Sequence, residues 1–135
     1  MGFRVRIYYE DTDSGGIVYH SNYIKFCERA RSEIVFNSGI EFTQSRHFVV
    51  TKLEASYIKP AVLGDILEVK TKLIKVGGAS LTLAQDIYKV ADIKGCSQKM
   101  ELLFRAKVIV GFICDGRLSR LDPKFAEIFT KLNQD

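Results

Sequence analysis

Apolar and polar side chains alternate along residues 3–9, near the start of the chain. Successive side chains of a β-strand point to opposite faces, so this period of two predicts a strand with one buried face. A turn-rich segment follows, in which Gly15 and Gly16 allow backbone conformations that other residues resist. We therefore expect a strand that ends in a loop before the next regular element.

The spacing of apolar residues changes from two to between three and four after this loop. The apolar positions are then Tyr23, Phe26, Cys27, Ala30 and Ile34. This period predicts an amphipathic helix that begins near Ser21, with Ser21 as the N-cap, and ends near Asn37. Gly39 is placed to end the helix.

Four further segments show the alternation that is typical of strands. They cover residues 53–57, 67–73, 81–90 and 102–112. Residues 102–112 carry apolar side chains on both faces, which predicts burial on both sides or a subunit contact. Asp115 and Gly116 mark a turn, and the chain closes with a short amphipathic helix that has Asp122 as N-cap and Pro123 in its first position.

The order of these elements indicates the fold class. Consecutive strands joined by short turns imply an antiparallel sheet, and the early helix must be covered by that sheet. We predict an α+β architecture in which a curved antiparallel sheet wraps around one long central helix. The size suits a single domain over residues 1–135, without a linker or an internal repeat.

Composition and cysteine content narrow the class of protein. Hydrophobic residues make up 47% of the chain, which is ordinary for a globular protein. The cysteines, Cys27, Cys96 and Cys114, are odd in number and form no CxxC pair, which argues against a disulfide framework or a zinc site. Because we find neither a transmembrane segment nor a signal peptide, we expect a cytoplasmic protein with reduced thiols.

The net charge of +4 comes from lysines and arginines that are scattered along the chain. A basic balance suits nucleic acid, a membrane surface or an anionic small ligand. No basic run or basic helix face accompanies the charge, so we expect no nucleic-acid partner. Two interpretations of the positive charge remain: it favours an anionic substrate, or it only reflects a solvated surface.

Residues 10–20, between the first strand and the helix, combine three carboxylates, two glycines and a histidine. The start of a helix has unpaired N–H groups and a partial positive charge, which polarise a carbonyl oxygen placed there. A carboxylate on the preceding loop supplies the second part of an acyl-transfer site. Each residue also has a plainer interpretation: Asp13 as a turn cap, and His20 as a helix-entry residue. A calcium loop is disfavoured, because its last acidic position is missing.

Two motifs give a specific resemblance. The stretches EDTDSGGIVYHSNYIKFCERAR and YIKPAVLGDILEV resemble the 4-hydroxybenzoyl-CoA thioesterase family, most closely its YbgC-type branch. The resemblance covers nearly the whole chain. It implies a hotdog fold, an acyl-CoA substrate, and no cofactor beyond the coenzyme A of that substrate. It also implies homodimers joined edge to edge, often paired into tetramers, with active sites at the dimer interface.

The resemblance assigns the catalytic roles. It identifies Asp13 as the catalytic carboxylate, acting as nucleophile or as general base. It places His20 at the helix entrance, where the backbone N–H polarises the thioester carbonyl and the imidazole is a candidate to assist. Asp11 is expected to be structural or supporting.

Substrate contacts are expected from five further residues: Gly16, Tyr23, Lys59, Lys75 and Ser80. The last three are candidates for the coenzyme A phosphates, which usually meet basic side chains or N–H groups. The segment KVGGAS holds only one lysine where some relatives place a basic cluster, so a partner subunit is the other source of charge.

Other functions fit parts of the pattern. A hotdog dehydratase uses a histidine with an acidic residue in a Gly/Pro-rich context that is not found in this sequence. A non-catalytic protein that binds acyl-CoA or acyl carrier protein, or a scaffold linked to envelope and phospholipid metabolism, is the alternative from another class. Thioesters of acyl carrier protein are the variant substrate of the enzyme hypothesis.

Overall fold

Six strands form one antiparallel sheet within residues 2–41, 43 and 45–134, which the computed structural model describes. The elements are β1 (Phe3–Arg6), α1 (His20–Phe36), β2 (Arg46–Tyr57), β3 (Ile66–Val76), β4 (Ser80–Ala91), β5 (Ser97–Cys114), β6 (Arg117–Leu118) and α2 (Pro123–Thr130). Short 3-10 helices cover Tyr9–Asp11 and Lys131–Gln134. The strand order is β1-β3-β4-β5-β2, with β6 paired to β5. The predicted α+β architecture with an antiparallel sheet is confirmed.

Strand β1 is shorter than the alternating pattern predicts. It ends at Arg6, and the chain turns after Ile7, whose backbone bonds to Gly64 and Asp65 on the loop before β3. Tyr8 then begins the 3-10 turn, with its N–H donating to the Asp11 carboxylate at 2.9 Å. These contacts join parts of the chain that are far apart in sequence, so alternation alone did not predict them.

Helix α1 begins one residue before the predicted N-cap. Its N-cap is Tyr19, and Ser21 lies inside the first turn, so the predicted cap was wrong. Tyr19 makes no side-chain cap bond; its backbone N–H instead donates to the Asp11 carbonyl at 2.9 Å. The helix ends at Phe36, and Gly39 has a φ of 79°, so the predicted end is confirmed.

One face of α1 packs into the core. Its buried residues are Tyr23, Phe26, Cys27, Ala30 and Val35, whereas Ile34 is only half-buried. Burial raises the pKa of the Cys27 thiol to about 12, which agrees with its predicted packing role. Helix α2 adds Phe125 and Phe129 to the same core, so α1 is accompanied by a second helix. The predicted cap of α2 is confirmed, since the Asp122 side chain accepts a hydrogen bond from the Lys124 N–H at 3.0 Å.

The two apolar faces of strand β5 result from its position inside the sheet and from a bulge. It pairs with β4 on one side and with β2 on the other. The register with β4 shifts between the pairs Ile87–Phe104 and Tyr88–Leu102, which lets both Leu103 and Phe104 be buried. The predicted double-sided burial is therefore confirmed for this part of the strand.

Strand β2 lies at one edge of the sheet. It starts at Arg46, earlier than predicted, and pairs with β5 over its length. Its other side pairs with no strand in the described part of the chain. Most of its residues are exposed, including Val50 and Tyr57, each with 49% of its surface accessible. No helix among the residues 2–41, 43 and 45–134 is long and apolar enough to span a membrane.

Candidate active site

The loop between β1 and α1 folds into a tight hairpin. Thr12 and Val18 form an antiparallel bridge, and the Asp13 N–H donates to the Ile17 carbonyl at 2.9 Å. Gly16 closes the turn by donating its N–H to the Asp13 carbonyl at 3.1 Å, with a φ of 82° that favours glycine. These bonds therefore fix the backbone of Asp13 within a hairpin that leads directly into α1.

The Asp13 carboxylate has a structural contact and is exposed to solvent. Its Oδ1 accepts a hydrogen bond from the Gly15 N–H at 2.8 Å, which is the turn-capping role considered from the sequence. A carboxylate offers about four acceptor sites, so one such bond orients the group and leaves others open. Asp11 differs, because it lies in the 3-10 turn and its Oδ2 accepts from the Tyr8 N–H, which agrees with the expected supporting role.

Asn22 ties the hairpin to the first turn of α1. The Asp11 carbonyl accepts two hydrogen bonds, from the Tyr19 N–H at 2.9 Å and from Asn22 Nδ2 at 2.8 Å. On its other side the hairpin docks on the loop before β3, where the Val18 N–H donates to the Ala61 carbonyl at 2.9 Å. The loop and the helix start are thus one connected unit.

His20 is the first residue of α1 and is exposed. No acceptor is recorded, in the described part of the chain, for the N–H groups of His20 and Ser21. Such free N–H groups at a helix start can bind and polarise a carbonyl oxygen. Asp13 and His20 therefore flank one hairpin, although no described contact joins their side chains.

Tyr57 contacts the start of this helix, a role that strand alternation did not indicate. Its hydroxyl donates to the His20 carbonyl at 2.8 Å, and its ring meets the imidazole edge-on with centroids 6.3 Å apart. Burial raises the pKa of Tyr57, so the hydroxyl stays protonated as a donor at neutral pH. The only available sequence signal was its place at the start of the motif YIKPAVLGDILEV.

Tyr23 lies beneath the site in the core, with 3% of its surface exposed. Its hydroxyl accepts a hydrogen bond from the Ala61 N–H at 3.0 Å, and its ring stacks on Phe104 with centroids 5.3 Å apart. Burial raises the pKa of the hydroxyl. These contacts give Tyr23 a packing role, and its contact with substrate stays a prediction.

The candidate phosphate contacts are separated within one protomer. Lys59 is two residues beyond Tyr57 and pairs with Glu101 at 3.2 Å. Strand β3 begins at Ile66, which pairs with the last residue of β1, and Lys75 lies near its other end. At about 3.3 Å per residue, roughly 30 Å of strand separates Lys75 from Ile66. Ser80 begins β4 in the same distant turn. A single protomer therefore does not bring Lys75 and Ser80 to the Asp13 hairpin.

The described residues of this region do not form a set of metal ligands. No group of three or more His, Cys, Asp or Glu side chains within the described residues is placed to hold a metal ion. The arrangement instead offers a carboxylate, an imidazole and free N–H groups, which are the parts of an acyl-transfer site.

Comparison with known proteins identifies the family. Residues 15–96, which include His20 but not Asp13, match the family described as the thioesterase superfamily. The acyl-CoA thioesterase YbgC of Helicobacter pylori is 38% identical over 111 residues, covering 82% of this chain and 84% of that protein.

Solved structures extend the likeness to the fold. A probable thioesterase from Bartonella henselae is 32% identical, with a TM-score of 0.73, over 90% of this chain and 97% of that one. A 1,4-dihydroxy-2-naphthoyl-CoA thioesterase from Synechocystis is 17% identical and shares the fold, with a TM-score of 0.82 over 97% of this chain and 96% of that one. The chain therefore belongs to the thioesterase superfamily, as a hotdog-fold member of its YbgC-type branch.

Proposed function

We propose that this protein hydrolyses acyl-CoA thioesters to a free acid and the thiol of coenzyme A. The observation that carries this proposal is the hairpin between β1 and α1, which carries the exposed Asp13 carboxylate and leads directly into the first turn of α1, where the His20 and Ser21 N–H groups have no recorded acceptor among the described residues. The family and the named activity of the Helicobacter pylori relative support it. Thioesters of acyl carrier protein are the variant substrate.

In the proposed reaction the thioester carbonyl oxygen accepts a hydrogen bond from the His20 N–H. Asp13 then acts in one of two ways. As a general base it takes a proton from water, the hydroxide adds to the carbonyl carbon, and the C–S bond breaks. As a nucleophile it adds to the carbonyl carbon itself, the thiolate leaves, and water hydrolyses the resulting anhydride. A thiol has a pKa of about 8.5, so the thiolate leaves without a strong acid and then takes up a proton. The His20 imidazole is the candidate to assist in the activation of water or in the protonation of the leaving thiolate.

The proposed active unit is a homodimer joined edge to edge through β2, paired again into a homotetramer. The unpaired edge of β2 and its exposed Val50 and Tyr57 support this, because an open edge strand is a template for pairing with another chain. A partner then supplies the distant Lys75 and Ser80 to the site, while Lys59 comes from the protomer that carries the hairpin.

The chain forms a single hotdog domain over residues 1–135 with α1 as its central helix, and it acts in the cytoplasm. Gly16 shapes the substrate site from the hairpin turn, and Tyr23 shapes it from the core side. The reaction needs no cofactor apart from the coenzyme A of the substrate.

Release of free thiol from acyl-CoAs of several chain lengths tests the proposed function. We expect turnover with at least one chain length by the wild-type protein. If acyl-CoAs bind but no thiol is released from any of them, the non-catalytic binding protein becomes the better description.

Substitution of His20 by alanine is expected to reduce kcat by roughly ten- to a hundredfold. The loss is partial because the substitution removes the imidazole but keeps the backbone N–H that polarises the carbonyl. Steady-state kinetics over a range of pH measure the effect. An unchanged kcat at every pH would remove the imidazole from the mechanism and leave the N–H as the contribution of this residue.

Substitution of Tyr57 by phenylalanine is expected to lower kcat/KM several-fold. The variant loses the hydrogen bond to the His20 carbonyl, worth about 1 kcal/mol, and with it part of the restraint on the helix start. Tyr88→Phe is the matched control, because Tyr88 is half-buried on β4 and its recorded ring contact is with Lys70. Equal kinetics for the two variants would argue against a positioning role for Tyr57.

A further inference from the structure

A cavity of about 300 Å³ lies between the C-terminal half of α1 and strands β2, β4 and β5. Its walls are mostly apolar and include Val35, Phe36, Phe48, Leu83, Val110 and Phe129. Among the described residues that line it, Glu28 and Arg31 carry a charge. None of the lining residues belongs to the hairpin or to the first turn of α1, so the cavity is separate from the reacting groups.

Arg31 is held in this cavity by a buried glutamine. Its Nη1 donates to Gln85 Oε1 at 2.8 Å, and Gln85 is completely buried. The Gln85 amide is fixed in turn, because its Nε2 donates to the Cys27 carbonyl and to Thr71 Oγ1, both at 3.0 Å. Gln85 therefore positions the guanidinium rather than neutralising its charge.

The charge of Arg31 has no close counterion in the described part of the chain. No carboxylate there lies within ion-pair distance of the guanidinium, and the bond to Gln85 is its recorded side-chain hydrogen bond. A guanidinium has five N–H donors, so most of the fork is open. Burial lowers the pKa of Arg31, yet the group stays charged at neutral pH. A partly buried cation without a counterion is unfavourable unless an anion joins it.

Glu28 is near enough to act on Arg31 without pairing with it. Its exposed carboxylate accepts a hydrogen bond from Ser32 Oγ at 3.1 Å. The attraction between Glu28 and Arg31 raises the pKa of Arg31, opposing the effect of burial. Glu28 is therefore expected to weaken, but not to block, the binding of an anion at Arg31.

We propose that this cavity binds the far end of the acyl group and selects acyl groups that end in a carboxylate. This rests on the proposed hydrolysis of acyl-CoA thioesters. The apolar walls contact the methylene chain, and the Arg31 fork binds the terminal carboxylate through two parallel hydrogen bonds. The substrate class is thus ω-carboxyacyl-CoA.

The length of α1 is compatible with this arrangement. From His20 to Arg31 the helix advances about 16 Å at 1.5 Å per residue. An extended acyl group of roughly twelve to fourteen carbons, at about 1.25 Å per carbon, covers that distance. Its thioester can therefore lie at the start of the helix while its far end lies in the cavity.

The test compares matched thioesters of equal carbon number: sebacoyl- with decanoyl-CoA, dodecanedioyl- with dodecanoyl-CoA, and tetradecanedioyl- with tetradecanoyl-CoA. For the best-fitting pair we expect kcat/KM to favour the carboxylated substrate by about tenfold or more. Arg31→Gln should abolish this preference, and Arg31→Lys, which keeps the charge but loses the fork, should reduce it. Glu28→Gln should increase the preference, because it removes a negative charge that repels the terminal carboxylate of the substrate.

Arg29→Gln is the matched control. It changes the net charge by the same amount on the same helix, but Arg29 lies outside the cavity, with its guanidinium 6.0 Å from the Phe26 ring centroid. We expect it to keep the wild-type preference. If Arg31→Gln fails to fold, Arg31→Lys and Glu28→Gln still decide the question, because they change the preference in opposite directions.

Binding of the same pairs to an Asp13→Asn variant separates this inference from the proposed function. A tighter Kd for the carboxylated member is expected even without turnover. Turnover of the unsubstituted acyl-CoAs with no preference in any pair would overturn the inference and leave the hydrolase function standing. If no acyl-CoA is turned over but the carboxylated members bind more tightly, the inference about the cavity stands and the hydrolase function is wrong.

Discussion

Replacing Asp13 by asparagine is expected to reduce thiol release from acyl-CoA by at least about 10²-fold. Asparagine keeps an Oδ1 that accepts the Gly15 N–H, so the hairpin is retained. It loses the negative charge and the basicity that either proposed reaction needs. Single-turnover rates with saturating protein measure the chemical step directly.

The control is Asp11→Asn, the same change two residues earlier in the same loop. Asparagine can still accept the Tyr8 N–H that Asp11 Oδ2 binds, so we expect kcat within a few-fold of wild type. If Asp13→Asn keeps full activity, the catalytic assignment of Asp13 is wrong. If both variants lose activity equally, the charge of the loop, rather than the Asp13 carboxylate, is what matters.

Replacing Phe104 by alanine is expected to lower the free energy of unfolding by about 3–5 kcal/mol. Phe104 is completely buried in β5, and its ring contacts Tyr23 and Tyr57 with centroids 5.3 and 5.1 Å apart. Domains of this kind are stable by only about 5–15 kcal/mol, so the loss is a large part of the total. Urea unfolding followed by circular dichroism measures it.

The same substitution is expected to reduce activity in the fraction that stays folded. Tyr23 and Tyr57 bond to Ala61 and to the His20 carbonyl, so a cavity beside their rings loosens the support of the helix start. Phe36→Ala is the control for stability, because Phe36 is 67% exposed and its loss should change the unfolding free energy by less than about 0.5 kcal/mol. Similar unfolding energies for the two variants would contradict the packing role of Phe104.

The hydrophobic pattern predicted the class of the fold and the order of the longer elements, because each of them must bury one face; it missed the two-residue strand β6, whose residues are both exposed. It was least accurate at the ends of elements. Alternation carried β1 on to Tyr9, whereas the strand ends at Arg6, and it placed the cap of α1 at Ser21 instead of Tyr19. In both cases the boundary depends on hydrogen bonds to residues elsewhere in the fold, which leave no periodic signal.

In the candidate site, too, the residues close together in sequence were predicted and those that contact it from distant elements were not. Asp13 and His20 stand out in the sequence because they lie within one short loop of unusual composition. Tyr57 does not stand out, because the bond from its hydroxyl to the His20 carbonyl spans the sheet and the helix. Arg31 is similar, since its position depends on Gln85 from β4. Side chains that support or extend a site from another element need the three-dimensional structure to be recognised.

The open edge of β2 has a consequence for how the protein behaves on dilution. A strand of this length with an unpaired side can bind a second copy in register or an unfolded chain out of register. By mass action, the proposed pairing through β2 would form at high concentration and dissociate to single chains at low concentration. Loss of activity on dilution would then originate in the row of backbone groups that becomes unsatisfied when the paired strands separate.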